Sequence, residues 1–139
     1  MFITYSENGK LLSKQSSSSP EFFPFGDFIE ITDDNWEIEL DKWRLDIQTK
    51  ELIELPPKPA DGYEFDYTTL EWKPNLELIK SLVNNSRQMM LQRSDWTDTV
   101  SAQTRLPNYA EWQTYRQALR DIPNQSGYPF NVIWPEQPL

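Results

Sequence analysis

The sequence lacks the residue types on which most enzyme sites depend. Its 139 residues include no cysteine and no histidine, and only four glycines. Without cysteine, the chain has neither disulfides nor thiolate chemistry. Without histidine it lacks the commonest general base and the commonest metal ligand, and no glycine-rich loop is present to hold a phosphate. We therefore predict a protein that is not an enzyme and that uses no cofactor and no metal.

Long hydrophobic runs are missing as well. No stretch of about 18 apolar residues occurs, so no membrane span is predicted. The N-terminal segment Met1–Glu7 lacks the basic start and the apolar centre of a signal peptide. Hydrophobic residues make up only 37% of the chain, yet aromatic residues reach 14%. The predicted core is therefore small and built from a few large rings.

Basic residues are scarce in the first half of the chain. Residues 1–74 carry 16 acidic and 7 basic side chains, whereas residues 75–139 carry six of each. An acidic surface repels the phosphate backbone, so we do not expect a nucleic-acid partner. The acidic half favours solubility or a partner with a basic surface, and an ordinary solvated face is the simpler explanation.

Residues 1–73 show the alternation of apolar and polar side chains that is typical of half-buried strands. Trp36, Ile38 and Leu40, for example, alternate with acidic residues. Short turns are predicted between the strands at Asn8-Gly9, Asp33-Asp34-Asn35, Gln48-Thr49-Lys50 and Thr68-Thr69. The Asn8-Gly9 pair favours a type I′ turn. No helical pattern separates the strands, so we predict an antiparallel meander of hairpins.

From residue 74 onward the hydrophobic period changes to that of a helix. A first helix is predicted from Asn75 to about Arg93, with Asn75 as its N-cap. Its apolar stripe consists of Leu76, Ile79, Leu82, Val83, Met89 and Met90. The polar stretch 98–107 is predicted to be a loop.

A second helix is predicted after this stretch. Asn108 and Glu111 have the spacing of a capping box, and Pro123 ends the helix. The apolar face of this helix consists of Trp112, Tyr115, Leu119 and Ile122. The tail that follows is rich in proline and is predicted to be extended, with a short strand at residues 131–134.

These patterns predict an α+β fold. An antiparallel β module covers residues 1–73, and a helical module with two helices and an extended C-terminal tail covers residues 74–139. The change of period and the change of charge both fall at this boundary, which is why we predict two modules there.

The acidic residues of the predicted strands allow other kinds of site. A carboxylate pair such as Glu37 and Glu39 would suit glycoside hydrolysis, which needs two acids across a cleft. The segment Asp33-Asp34-Asn35 would offer oxygen ligands to calcium or magnesium. Solvent-facing strand positions and a hairpin turn explain both sets more simply, so we predict neither site.

Tryptophan, tyrosine, arginine and aspartate concentrate in the C-terminal module. The candidate partner-binding residues are Asp95, Trp96, Thr97, Trp112, Tyr115, Arg116, Arg120, Tyr128 and Trp134. Trp, Tyr and Arg dominate the hot spots of protein interfaces, which favours a docking surface. The alternative is a buried core, which we predict for Trp112, Tyr115 and Leu119. In such a core, Asp95 caps a helix or pairs with Arg116 or Arg120. The tail from Tyr128 onward either folds back on its own helices or binds in trans.

The order of these elements resembles a family signature. Arg93-Ser94-Asp95-Trp96-Thr97 comes first, then the segment Trp112–Pro123, and finally Tyr128-Pro129 and Val132–Pro135. This arrangement resembles the C-terminal signature of phage tail assembly chaperones, which include tail fibre assembly proteins. The resemblance implies a protein that binds a client tail or tail-fibre protein, keeps it soluble and helps it to fold or oligomerise.

The resemblance also implies where the protein acts. Such a protein works in the host cytoplasm during assembly, and some members stay attached to the finished fibre. The alternative from another class is a permanent virion component, such as a fibre-tip subunit that binds a receptor or a sugar through its aromatic residues. Whether the chain forms a homo-oligomer stays open.

Overall fold

The computed structural model describes residues 1–16, 27–31 and 38–139. The predicted turn at Asp33-Asp34-Asn35, the strand residue Trp36 and the carboxylate of Glu37 lie outside the described residues. Antiparallel strands in small sheets are followed by helices, so the predicted α+β class is confirmed.

The chain forms two compact units. The β unit comprises residues 1–60 and 65–73, and the helical unit comprises residues 61–64 and 74–139. The division into two functional modules at residue 73 stays a prediction. Among the described residues, no helix combines the length and the hydrophobicity that a membrane crossing requires.

Short strands build the first part of the chain. They are β1 (Phe2–Tyr5), β2 (Leu11–Gln15), β3 (Asp27–Glu30), β4 (Trp43–Leu45), β5 (Leu52–Glu54), β6 (Tyr63–Asp66) and β7 (Glu71–Pro74). Strand β1 lies between β2 and β3 and pairs with both in antiparallel fashion. Strands β4 and β5 form one two-stranded hairpin, and β6 and β7 form another. The predicted meander is therefore divided into separate small sheets.

The buried residues of the β unit come mainly from its first hairpin and from β4. Among them, Ile3, Tyr5, Leu11, Ile38 and Leu45 pack together in one hydrophobic cluster. All four residues of β1 are buried, because this strand is covered by partners on both edges. The acidic side chains are left on the outside of this small core, as the alternating pattern predicts.

The turn between β1 and β2 differs from the predicted type I′ turn. That turn needs a positive φ at both central residues, but Gly9 has a φ of 84° and Asn8 does not have a positive φ. The Gly9 N–H instead donates to the Ser6 carbonyl at 2.9 Å, which closes the turn one residue earlier. The register of the two strands then shifts between Thr4 and Tyr5.

The two later hairpins share one turn geometry. In the first, Asp46 Oδ1 accepts the backbone N–H groups of Gln48 (2.9 Å) and Thr49 (3.2 Å). Asp66 Oδ1 accepts those of Thr68 and Thr69 at the same distances. The turns end at Lys50 and Leu70, whose φ angles are 60° and 58°. The hairpins are thus structural repeats with an offset of 20 residues.

The helical unit contains three α-helices where two were predicted. They are α1 (Leu76–Arg93), α2 (Val100–Arg105) and α3 (Tyr109–Asp121), with short 3-10 helices at Asp95–Asp98 and Ile122–Asn124. Helix α1 begins as predicted, because Asn75 Oδ1 accepts the Leu78 N–H at 3.1 Å. It ends at the Ser94 C-cap, also as predicted.

Helix α2 shows that the predicted loop at residues 98–107 was wrong. Thr99 caps it by accepting the Ala102 N–H on Oγ1 at 3.1 Å, and Ala102 is buried. Helix α2 is held by one N-cap and one small buried side chain. It therefore shows no apolar stripe in the sequence, which is the pattern that predicts longer helices.

Two predictions about the end of the chain were also wrong. Asn108 is the N-cap residue of α3, but its side chain makes no capping bond and donates instead to the Leu139 carbonyl at 2.9 Å. Residues 131–134 form no strand. The Ile133 N–H and C=O bond the side-chain amide of Gln125, at 2.8 Å each, in place of a neighbouring strand.

Candidate partner-binding site

Helix α3 turns its aromatic residues inward. Trp112, Tyr115, Leu119 and Ile122 form the buried cluster of the helical unit. The ring of Trp112 lies edge-on to Tyr115 at 5.8 Å and to Trp96 at 5.4 Å, measured between ring centroids. Trp112 is only 6% exposed, whereas Trp96 is 54% exposed. The three rings therefore lead from the core to the surface, and the predicted burial of Trp112 is confirmed.

Arg116 joins three elements of the helical unit. Its Nη1 donates to the Leu91 carbonyl and to Ser94 Oγ, both at 2.8 Å. Its Nη2 donates to Asp95 Oδ1 at 2.9 Å, with Asp98 Oδ2 at 3.8 Å. The predicted ion pair between Asp95 and an arginine of α3 is therefore confirmed. A buried guanidinium needs such partners, because an unpaired buried charge is strongly unfavourable.

The remaining polar candidates have different environments. Thr97 is fully buried and donates from Oγ1 to the Ser94 carbonyl at 2.7 Å. Arg120 is exposed and forms no ion pair with the part of the chain that the structure describes. Asp95 is also exposed, although its carboxylate holds Arg116. The residues predicted as one site are thus divided between the core and the surface.

The C-terminal tail folds back on its own helices. We call residues 127–139 the strap. It begins with a turn in which the Asn131 N–H donates to the Gly127 carbonyl at 2.7 Å. A Cβ atom at Gly127 would collide with the Asn131 carbonyl, so glycine is required there. Further along, Tyr128, Val132 and Trp134 are half-buried against the core of the helical unit.

Residues 80–139 match the phage tail assembly chaperone protein family. The matched range begins within α1 and includes α2, α3 and the strap. The resemblance inferred from the sequence is thereby confirmed for this range. No curated protein and no solved structure gives a significant match to the chain.

A cleft lies beside the strap, within the range that matches this family. Its volume is about 210 Å³, and its lining residues are Met90, Arg93, Ser94, Trp112, Tyr115, Pro135 and Gln137. Helices α1 and α3 supply one wall and the strap supplies the other. Arg93 is exposed and has no ion pair among the described residues. The cleft therefore combines aromatic rings with a guanidinium group that is available to a ligand.

The family-matched range, residues 80–139, also exposes apolar side chains that the sequence reasoning did not single out. Phe130 is 55% exposed, Ile133 is 80% exposed, and Val100 is exposed to a similar degree. Phe130 and Ile133 are strap residues that face away from the helices. Alternation along the strap is the sequence signal that could have predicted the exposure of Ile133, because Val132 and Trp134 on either side of it pack inward.

The predicted apolar stripe of α1 is only partly buried. Ile79 is buried, and Val83 and Met90 pack against the core. The other stripe members, Leu76, Leu82 and Met89, are exposed. Leu82 and Met89 directly precede Val83 and Met90, so they lie on a neighbouring face of α1 that the core does not cover, and Leu76 is exposed in the first turn of the helix.

Proposed function

We propose that the chain is a tail assembly chaperone that binds a client tail or tail-fibre protein in the host cytoplasm and keeps it soluble. The match of residues 80–139 to the chaperone family carries this proposal. No cofactor or energy source is required, because burial of the client's apolar surface is itself favourable. The partner is a protein and not a nucleic acid, since the acidic first half of the chain disfavours phosphate backbones.

The binding surface consists of the exposed apolar residues of the family-matched range, residues 80–139. Trp96, Val100, Phe130 and Ile133 offer this surface, with Tyr128 and Trp134 at its margin. The buried candidates Trp112, Tyr115, Thr97 and Arg116 support the surface from beneath. Arg120 and Asp95 supply charges at its edge.

Coexpression tests the proposal. The tail or fibre gene adjacent to this gene is expressed with and without the chain, and client solubility and copurification are measured. We expect the soluble client fraction to rise with the chain and to fall again with Trp96→Ser or Phe130→Ser. Leu12→Ser is the matched control, since Leu12 in the β unit is also 54% exposed. Equal client solubility with and without the chain would refute the proposal.

The salt dependence of binding distinguishes the apolar surface from the acidic half. Exposed charges are screened beyond about 8 Å at physiological ionic strength. Binding through apolar burial should therefore change little with salt and should show a negative heat-capacity change. Calorimetry with the purified client measures both quantities. Affinity that falls steeply with salt would assign binding to the acidic β unit instead.

A permanent place in the virion is the second candidate function. In the β unit, the rings of Phe65, Tyr67 and Trp72 form an edge-to-face cluster, and the Lys58 ammonium lies 6.0 Å from the Trp72 ring. A partly exposed aromatic cluster of this kind favours a subunit that contacts a receptor or a sugar. Quantitative mass spectrometry of purified particles decides between the roles. A stoichiometric amount of the chain indicates a structural subunit, and its absence indicates a chaperone that leaves.

A further inference from the structure

The strap is held to the helical unit by few bonds for a segment of its length. The Gln125 amide bonds Ile133 at one point, and the Asn108 amide bonds the Leu139 carbonyl at the other end. Between these points the strap makes no strand pairing, and Pro135 and Pro138 have no N–H to donate. The strap therefore lies against the helices in the way that a bound extended peptide lies in a groove.

The side chains of the strap contact the groove in an alternating pattern. Val132 and Trp134 pack against the buried cluster and remain half-exposed, while Ile133 points outward. Beyond them, Pro135 and Gln137 border the cleft of about 210 Å³ instead of filling it. The strap therefore occupies the groove without complete packing, whereas Leu119 and Ile122 beneath it are fully buried.

We propose that the groove between α1 and α3 is a peptide-binding groove, and that the strap is an exchangeable occupant of it. The partner that fits is an extended segment of the client with an aliphatic residue, any residue, an aromatic residue and then proline, as in Val132–Pro135. An acidic residue next to this segment finds a partner in Arg93 at the cleft. This inference rests on the proposed function, because it names the client segment that the chaperone recognises.

The strap competes with any such segment from within the same chain. A tethered occupant acts at an effective concentration in the millimolar range, so a free peptide binds the intact groove weakly. The free peptide makes the same contacts with the groove as the strap does, so only a change in the strap itself shifts the competition. Loss of the Trp134 ring from the strap removes the burial of a large side chain, which corresponds to a gain of at least about tenfold in peptide affinity.

Peptide binding to the full chain tests the exchange. The probe is a fluorescein-labelled synthetic peptide with the sequence of residues 128–139, titrated against the chain and followed by fluorescence anisotropy. We expect the Trp134→Ala chain to bind the peptide at least about tenfold more tightly than the unchanged chain, because this change weakens the strap and leaves the groove intact. Gln117→Ala is the control, because the Gln117 amide bonds Asp121 on the same helix and not the strap. A peptide with Trp134→Ala should bind at least about tenfold more weakly.

Val132→Ala provides a second variant that weakens the strap at its other inward-facing position. It should also raise peptide affinity, so the test does not depend on the folding of one variant. Equal affinity for the Trp134→Ala, Val132→Ala and Gln117→Ala chains would overturn the proposal, as would the absence of saturable binding to the two strap variants. Because the probe is not the client, this failure would leave the coexpression result intact. Peptide exchange without any effect on client solubility would instead contradict the proposed function.

Discussion

The turns of the two later hairpins and the helical unit are stabilised over different distances along the chain. In the hairpins of the β unit, Asp46 and Asp66 bond backbone groups two and three residues away. In the helical unit, Arg116 bonds residues 21 to 25 positions away, and Asn108 bonds a residue 31 positions away. The comparison indicates that the hairpins depend on local turn chemistry, whereas the helical unit depends on contacts that form only once its helices and strap are assembled.

Removal of the central ring of the helical unit should have the largest effect. Trp112→Ala deletes a buried indole that contacts Trp96 and Tyr115, and should lower the free energy of unfolding by about 3–5 kcal/mol. Urea unfolding followed by circular dichroism measures this change. Trp96→Ala is the control, since its ring is half exposed and should cost much less. Wild-type stability of Trp112→Ala would show that the helical unit does not depend on this residue.

Loss of Arg116 should have the next largest effect. Arg116→Met keeps the apolar stem but removes the bonds to Leu91, Ser94 and Asp95, and hydrogen bonds of charged groups contribute about 1.5–3 kcal/mol. We expect a destabilisation of about 2–3 kcal/mol. Arg120→Met on the same helix should change stability by less than about 0.5 kcal/mol, because its side chain is exposed. Similar losses for the two variants would refute a specific role for the buried guanidinium.

Glycine at the end of each repeated turn should stabilise the hairpins. A left-handed backbone costs an ordinary residue about 1–2 kcal/mol, and the greater freedom of glycine in the unfolded chain offsets about 0.5–1 kcal/mol of that gain. Leu70→Gly should therefore raise the unfolding free energy by about 0.5–1 kcal/mol. Lys50→Gly should gain less, since Lys50 Nζ donates to the Tyr5 hydroxyl at 2.9 Å. Thermal unfolding of both variants checks the order, and a loss with Leu70→Gly would contradict it.

A smaller, pH-dependent difference should separate the two aspartates of the turns. The Lys73 ammonium, followed by the N–H groups of Thr68 and Thr69, holds the pKa of Asp66 well below its usual value. Because this folded-state pKa is depressed, the stabilisation is present above the ordinary aspartate pKa of about 4 and is lost as the pH falls through the folded pKa. Asp66→Asn should thus be less stable than wild type at pH 7 and equal to it in strong acid.

Asp46→Asn is the matched control for this pH dependence. The backbone N–H groups of Thr49 and Gln48 also lower the pKa of Asp46, but no lysine forms an ion pair with it in the described residues. The pH-dependent loss should therefore be smaller at Asp46, where Arg44 adds a weak charge interaction, and salt should reduce the loss more at Asp66 than at Asp46. Urea unfolding across the acid range measures both. A larger effect at Asp46 would show that the lysine does not matter.

The sequence predicts those parts of the fold that depend on neighbouring residues. Asn75 and Ser94 mark the ends of α1 because capping and stripe signals are local. The inward face of α3 follows from the spacing of Trp112 and Tyr115. The sequence could predict that an arginine of α3 pairs with Asp95, since a buried guanidinium needs a carboxylate. It could not predict the contacts of Arg116 with Ser94 and Leu91.

The parts that escaped prediction depend on distant partners or on weak signals. The Asn108 amide bonds Leu139 instead of its own helix, and Gln125 replaces the strand that residues 131–134 would have needed. A positive φ at Leu70 leaves no signal, because such a conformation normally requires glycine. The neighbouring apolar faces of α1 are indistinguishable until a partner covers one of them.

The repeated hairpins also bear on how such a chain can change in length. The Leu55 N–H donates to the Lys42 carbonyl at 2.7 Å, and the Asn75 N–H donates to the Gly62 carbonyl at 2.8 Å. Each hairpin thus closes its own base, and its aspartate closes its own turn. The β4–β5 hairpin also bonds the first hairpin, since the Leu45 N–H donates to the Gly9 carbonyl at 2.8 Å, whereas no such backbone bond joins β6–β7 to the other described strands. A hairpin that satisfies its own backbone hydrogen bonds, as β6–β7 does, can be duplicated or deleted in the gene without leaving unpaired backbone groups in its neighbours. Evolution can therefore lengthen or shorten the chain by this hairpin while the other strands and the helices keep their sequence.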